Sequence, residues 1–141
     1  MKVVMVYWSR FGNNKKLVDS LALLLNDKGS ETQIFTTDEV DPTAMPTADV
    51  YIFSAASESF NLQQNMRTFL KELSGMDGKK YGIMNTHWSP KNRLEKMEKL
   101  LSQHNMKKIA EADFRVEKDG HGEFRLLDKW EVKLGKFAEK L

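Results

Sequence analysis

Ser9, Gly12, Asn13 and Asn14 are the residues of this chain best suited to hold an anion, and they fall within a single polar run, Trp8-Ser9-Arg10-Phe11-Gly12-Asn13-Asn14. A helix that starts there presents unpaired N–H groups and the positive end of its dipole, which together suit a group such as phosphate. Gly12 lets the backbone come close, and Asn13 or Asn14 can cap the helix through a side-chain oxygen. Arg10, Lys15 and Lys16 add positive charge around the same spot. The same residues also describe an ordinary strand-to-helix turn with a good cap, and one glycine alone does not separate the two readings.

Two more polar stretches follow apolar runs in the same way. Ser54-Ala55-Ala56-Ser57-Glu58-Ser59-Phe60-Asn61 is a loop of small residues that leaves room for a flat ligand, and Phe60 either shields such a ligand or staples the loop to the following helix. Thr86-His87-Trp88-Ser89-Pro90 places a tryptophan beside a histidine. Trp88 is either a ring for stacking or a plug over a helix end, and His87 on its own reads as a solvated polar residue. No carboxylate and hydroxyl at triad-like spacing accompany it. His104 and His121 fall on an expected helix end and a turn, so no catalytic residue and no metal ligand is assigned.

The elements that must position these loops are legible from periodicity. Val3 to Tyr7 is a short, largely β-branched run suited to a buried parallel strand, and Leu17, Leu21, Leu24 and Leu25 then recur at helical spacing. Gly29 ends that helix, and Gln33 to Thr36 makes a short strand expected at a sheet edge. Pro42 and Pro46 argue for an irregular crossover or an abbreviated helix. Val50 to Phe53 is the next strand, followed by a helix capped by Ser59 or Asn61 with Leu62, Met66, Phe69, Leu70 and Leu73 inward. Lys80 to Thr86 is the fourth strand. A Ser89 cap with Pro90 in the first turn opens the next helix, which turns Leu94, Met97, Leu100 and Leu101 inward. The last strand runs from near Lys108 to Val116, Asp119-Gly120-His121-Gly122 is a turn that can close a small hairpin, and a core-facing helix begins near Trp130.

A strand of this type, a loop and then a helix, three times over, carries a resemblance. Tyr7-Trp8-Ser9-Arg10-Phe11-Gly12-Asn13-Asn14-Lys15-Lys16 resembles the phosphate loop of the flavodoxin family, T/S-x-T-G-x-T. Ser9 and Gly12 match. Phe11 and Asn14 stand where the family has threonines, so Asn14 can donate only from its amide and Phe11 only from its backbone. In the family the second loop holds the isoalloxazine ring through a proline and an aromatic after a Ser/Thr. Ser54 resembles that hydroxyl residue, Ala55 replaces the proline, Ser57 stands near the aromatic, and Phe60 is the nearest ring.

The resemblance implies a flavodoxin-like α/β three-layer sandwich, a five-stranded parallel sheet in order 2-1-3-4-5 with helices on both faces, and loops after strands 1, 3 and 4 converging on one crevice. It implies noncovalent FMN, with the phosphate at Ser9, Arg10, Phe11, Gly12, Asn13 and Asn14. The ring would lie between Ser54, Ala55, Ala56, Ser57 and Phe60 on one side and Thr86, His87, Trp88 and Ser89 on the other. Such a protein shuttles electrons to redox partner proteins and turns over no substrate of its own. Two alternatives stay open: an FMN-dependent NAD(P)H oxidoreductase of the quinone-reductase type, and a flavodoxin-fold binding module that has lost FMN.

Bulk properties set the remaining expectations. A chain of 141 residues with 40% hydrophobic residues is the size of one domain, 1–141. It contains no cysteine, so thiol chemistry is closed and any redox step needs a bound cofactor. No basic block interleaved with aromatics points to nucleic acid, no apolar run reaches the length of a membrane span, and no signal-type segment precedes the first strand. The expectation is a cytoplasmic monomer or weak dimer. Flavodoxins are generally acidic around the flavin, whereas the formal charge here is +2 with Arg10, Lys15, Lys16, Lys91 and Arg93 near the expected crevice. Partner choice must then differ, or the crevice holds something more anionic than FMN.

Overall fold

The computed structural model describes residues 1–141. The chain runs β1 (Lys2–Tyr7), α1 (Asn13–Asp27), β2 (Glu31–Thr36), β3 (Val50–Glu58), β4 (Asn61–Leu62), α2 (Gln64–Glu72), β5 (Lys80–His87), α3 (Leu94–Ser102), β6 (Lys107–Lys118), β7 (Phe124–Leu126) and α4 (Trp130–Glu139). The sheet is ordered β2-β1-β3-β5-β6-β7, with β4 paired to β3 off that path. The strands β2, β1, β3, β5 and β6 pair in parallel, while β4 and β7 are antiparallel additions. An expectation of five strands is therefore too small. The extra two are hairpin arms, too short to show a period-2 pattern of their own.

The apolar runs of β1, β3 and β5 are buried on both faces, and side-chain alternation sorts them into two cores. Val4, Val6, Tyr51, Phe53, Tyr81 and Ile83 pack with α2 and α3. Val3, Met5, Val50, Ile52 and Met84 pack with α1 and α4. Gly82 in β5 is required by close packing: a Cβ there would stand 2.9 Å from both Ile52 Cδ1 and Phe137 Cζ. Leu24, expected inward, lies at the margin of the α1 stripe with 36% exposure.

Residues 37–48 between β2 and β3 form turns and irregular backbone with no helix. Tyr51 ties this segment down. Its Oη donates to Pro46 O at 2.6 Å and accepts from Ala48 N, which satisfies a buried phenol. Burial raises the Tyr51 hydroxyl pKa against the opposing effect of the Ala48 hydrogen bond. The order β2-β1-β3 makes the chain leave β1 on opposite sides for its two neighbours. A crevice opens at the carboxyl ends of β1 and β3, where this change of direction occurs.

Candidate functional site

Gly12 stands at the N-cap position just before α1, in the left-handed conformation at φ 86°, and the helix start receives no side-chain cap hydrogen bond. Neither Asn13 nor Asn14 acts as the expected cap, because each amide is used elsewhere. Asn13 Nδ2 donates to Phe124 O on β7 at 3.0 Å. Asn14, 2% exposed, donates from Nδ2 to Thr86 Oγ1 at 2.9 Å and accepts from Ser54 Oγ at 2.8 Å. One amide thus clamps the first turn of α1 to the carboxyl ends of β3 and β5, with its donor and its acceptor both satisfied.

With the helix uncapped, the backbone N–H groups of residues 9–15 have no backbone acceptor; the next amide, Lys16 N, returns to Gly12 O. Ser9 Oγ is buried and also unpartnered. Donors without acceptors at the positive end of a fifteen-residue helix suit an anion, and make this loop a candidate anion seat. A Cβ built on Gly12 meets nothing within 4 Å, so the space in front of that backbone is open.

The seat lies at one end of a crevice of about 320 Å³, which falls in the range of small-molecule sites. Ser9, Arg10, Phe11, Asn13 and Asn14 line it from the first loop, Ala56, Ser57, Glu58 and Ser59 from β3 and its turn, and Thr86, His87 and Trp88 from β5. Gly12, Ser54, Ala55, Phe60 and Ser89 are not on its wall. Gly12 sets the backbone, Ser54 anchors Asn14, and Ala55 is buried in the core behind it.

Two expectations about helix starts are corrected here. Ser59 and Asn61 do not cap α2. Ser59 lies with Phe60 in a two-residue hairpin turn, Asn61 opens β4, paired to Glu58, and α2 starts only at Gln64. Ser59 and Phe60 both take positive φ, 49° and 62°, the pattern of the turn type that matches strand twist. Phe60 at its tip is 88% exposed and neither shields the crevice nor staples the loop. Similarly, Ser89 is not the cap of α3, which begins at Leu94. The loop before α3 is held by Asn85, whose Oδ1 accepts from Arg93 N at 2.8 Å and whose Nδ2 donates to Ala55 O at 3.0 Å.

His87 is not solvated. It is 3% exposed, with Nδ1 at 2.6 Å from Ser89 O and Nε2 at 2.7 Å from Asp113 Oδ2. Both partners are oxygens that accept, so a proton on either ring nitrogen has an acceptor in place. Burial opposes charge on Asp113, but hydrogen bonds from His87 and Lys133 outweigh it and hold the carboxyl below the usual range. This network fixes the backbone that carries Trp88.

Trp88 itself is 61% exposed and meets Phe124 edge-on at 6.1 Å, while Phe11 packs on the other side of Phe124 at 5.1 Å. These three rings wall one side of the crevice. Across it, Arg10 Nε and Glu58 Oε1 are 3.1 Å apart, joining the phosphate-type loop to the hairpin. Asn85, Asp113, Val116 and Phe124 escaped the sequence reading. Asn85 carried a signal, as a lone amide inside an apolar strand; Phe124 comes into place only through the β6–β7 arm, and Asp113 through the parallel pairing of β6 with β5, opposite Asn85.

No protein-family profile and no curated protein matches the sequence. Solved structures do. Flavodoxin 1 from Bacillus cereus superposes with a TM-score of 0.81 at 17% identity, over 99% of this chain and 96% of that one. The fold is flavodoxin-like. The Megasphaera elsdenii flavodoxin matches at 0.78 and 19% identity over 99% of both chains. Rubredoxin oxygen:oxidoreductase from Desulfovibrio gigas matches at 0.79 and 14% identity over 99% of this chain and 34% of that larger one. No group of acidic, histidine or cysteine residues is arranged to hold a metal, and no helix is long and apolar enough to cross a membrane.

Proposed function

We propose that this chain is a flavodoxin-like electron carrier that binds FMN noncovalently at the carboxyl ends of β1, β3 and β5. The observation that carries this reading is the run of unpartnered N–H groups from Ser9 to Lys15, with the orphaned Ser9 hydroxyl, at one end of a crevice whose other end is walled by Trp88. The donor set suits a dianionic phosphate even though Phe11 supplies no hydroxyl, because backbone donors and Ser9 remain. Trp88 offers a face for a planar ring, with Ala56 and Ser57 opposite as small residues. Bound there, the flavin supplies one-electron and two-electron redox chemistry.

The residues of the chain then have distinct tasks. Asn14 holds the seat rigid through Ser54 and Thr86, and Asn85 fixes the loop that positions Trp88. Arg10 and Glu58 span the mouth and join the first loop to the end of β3. The structural neighbours support the reading: one is described as an oxidised flavodoxin and another as a two-electron reduced one. Redox partner proteins are the proposed recipients of the electrons.

A second reading has one observation in its favour. The Phe11 ring packs on Phe124 at the edge of the anion seat, where the resembling family carries a hydroxyl, and this suits a binding module without flavin. Titration with FMN, followed by visible absorption and tryptophan emission, separates the two. Flavin bands with quenched emission and a micromolar or tighter constant are expected; no bands and no quenching would leave the binding module. Steady-state NAD(P)H consumption by the loaded protein would instead make it a reductase.

A further inference from the structure

The clefts that flank the crevice carry opposite charge. At the start of α3 a cleft of about 470 Å³ is walled by Lys91, Arg93, Lys96 and Lys99 against one carboxylate, Glu95. No ion pair of the chain uses any of these four cations. On the other side, the cleft between the end of β2 and α2 is walled by Asp38 and Glu72 and contains no cation. Meanwhile Arg10 and Lys15, expected to make the anion seat basic, are paired with Glu58 and Asp19. The small net charge therefore hides a local polarity: four cations without ion pairs share one cleft beside Trp88, whereas near the phosphate-type loop only Lys16 is unpaired, its ammonium lying over the Trp130 ring.

Arg115 adds to it, with its Nε donating to Trp88 O at 3.2 Å and no carboxylate partner. Scattered lysines on a helix are ordinarily a solvated face. Here they share one cleft, three residues from an exposed indole that forms the rim of the crevice. We propose that the Lys91–Lys99 strip docks an acidic face of a redox partner protein, so that the Trp88 edge of the crevice meets the partner and the Asp38–Glu72 cleft is turned away. This rests on the crevice being an electron-transfer site. Attraction at one cleft and repulsion at the other fix both encounter rate and orientation. A long polyanion fits less well, since the strip is short and holds no aromatic for base stacking.

The test uses the FMN-loaded chain and a Lys91→Glu/Lys96→Glu variant, neither side chain lining the crevice. Stopped-flow mixing follows one electron from a reduced plant-type ferredoxin, an acidic probe, to the flavin of the protein. In a second reaction one electron passes from the reduced protein to cytochrome c, a basic probe. The ferredoxin rate is expected to fall about tenfold or more between low and physiological salt, and about tenfold or more in the variant, while the cytochrome c rate rises. Equal rates and salt slopes in both proteins overturn the proposal. If the chain takes up no flavin, the electron-carrier reading falls, and the same ferredoxin is titrated into the flavin-free chain by NMR. Shifts confined to residues 88–99 then support the docking surface, and their absence overturns it. Competition by single-stranded DNA for the same lysines with comparable affinity also overturns it, in favour of a polyanion.

Discussion

The two ends of the crevice are built on different principles. At the anion seat, geometry is fixed before any ligand arrives: Asn14 is buried and doubly bonded to β3 and β5, Asn13 is bonded to β7, and Gly12 holds the helix start open. At the ring end the recognition groups are exposed. Trp88 stands mostly in solvent, as does Phe60 off the crevice wall, on a turn with two non-glycine residues at positive φ. Charge follows the same division in part, since Arg10 and Lys15 near the seat are paired and Lys16 lies over the Trp130 ring, whereas the cations next to Trp88 have no carboxylate partner. The contrast teaches that a small dianionic group needs donors already aligned, because each N–H must be oriented at no cost on binding, while a flat ring can be gripped by side chains that settle afterwards.

The seat is where a single change should do most harm. Gly12→Val puts a β-branched residue at φ 86° and fills the open approach to the backbone, so FMN affinity is expected to fall by about a hundredfold or more with a smaller loss of stability. Fluorescence titration beside a thermal melt separates the two effects, and unchanged uptake would place the phosphate elsewhere. Asn14→Leu leaves Ser54 and Thr86 without partners inside the core and is expected to cost about 2 to 4 kcal/mol in urea unfolding. A cost near zero would mean that the clamp is decoration and that the seat is as adaptable as the ring end.

The ring end should respond more mildly. Trp88→Ala is expected to weaken FMN by about 1 to 3 kcal/mol and leave the melting temperature nearly unchanged, because the indole is exposed. The network beneath it has an acid signature. Asp113 is held below its ordinary range in the folded chain, so it contributes stability that is complete above the unfolded carboxyl value of about 4 and is lost as pH falls through the lower folded value. Asp113→Asn should flatten that acid limb in melts taken below about pH 5, and an unchanged limb would remove His87 and Lys133 as its cause. The smallest effect is expected at Phe60→Gly, which relieves a positive φ and should raise stability by about 1 kcal/mol or less. A lost affinity for FMN in that variant would show that Phe60 closes over the ring when it is bound.

Much of the positioning was legible in the residues. The apolar runs at Val3, Val50 and Tyr81 announced the buried strands, and the loops after them are the ones that line the crevice. Local sequence determines such features because a strand buried on both faces must be continuously apolar, and a helix start after it must hold polar groups. Helix starts at Ser59 and Ser89 were misplaced because a capping residue also suits a turn, and only hairpin pairing or the reach of Asn85 decides between them.

What the sequence by itself determined is the α/β alternation, the three loops and the presence of Ser9, Gly12 and Trp88 on them. What only the tertiary structure decided is which groups remain free to bind. Asn13 and Asn14 are spent on β7, β5 and β3, the seat's amides and Ser9 Oγ are left over, and from more than twenty residues beyond Trp88 Phe124 reaches the crevice and Asp113 reaches the His87 ring. The physical reason is that a polar atom is available to a ligand only when no part of the fold has claimed it, and those claims cross distances in sequence that no local pattern records.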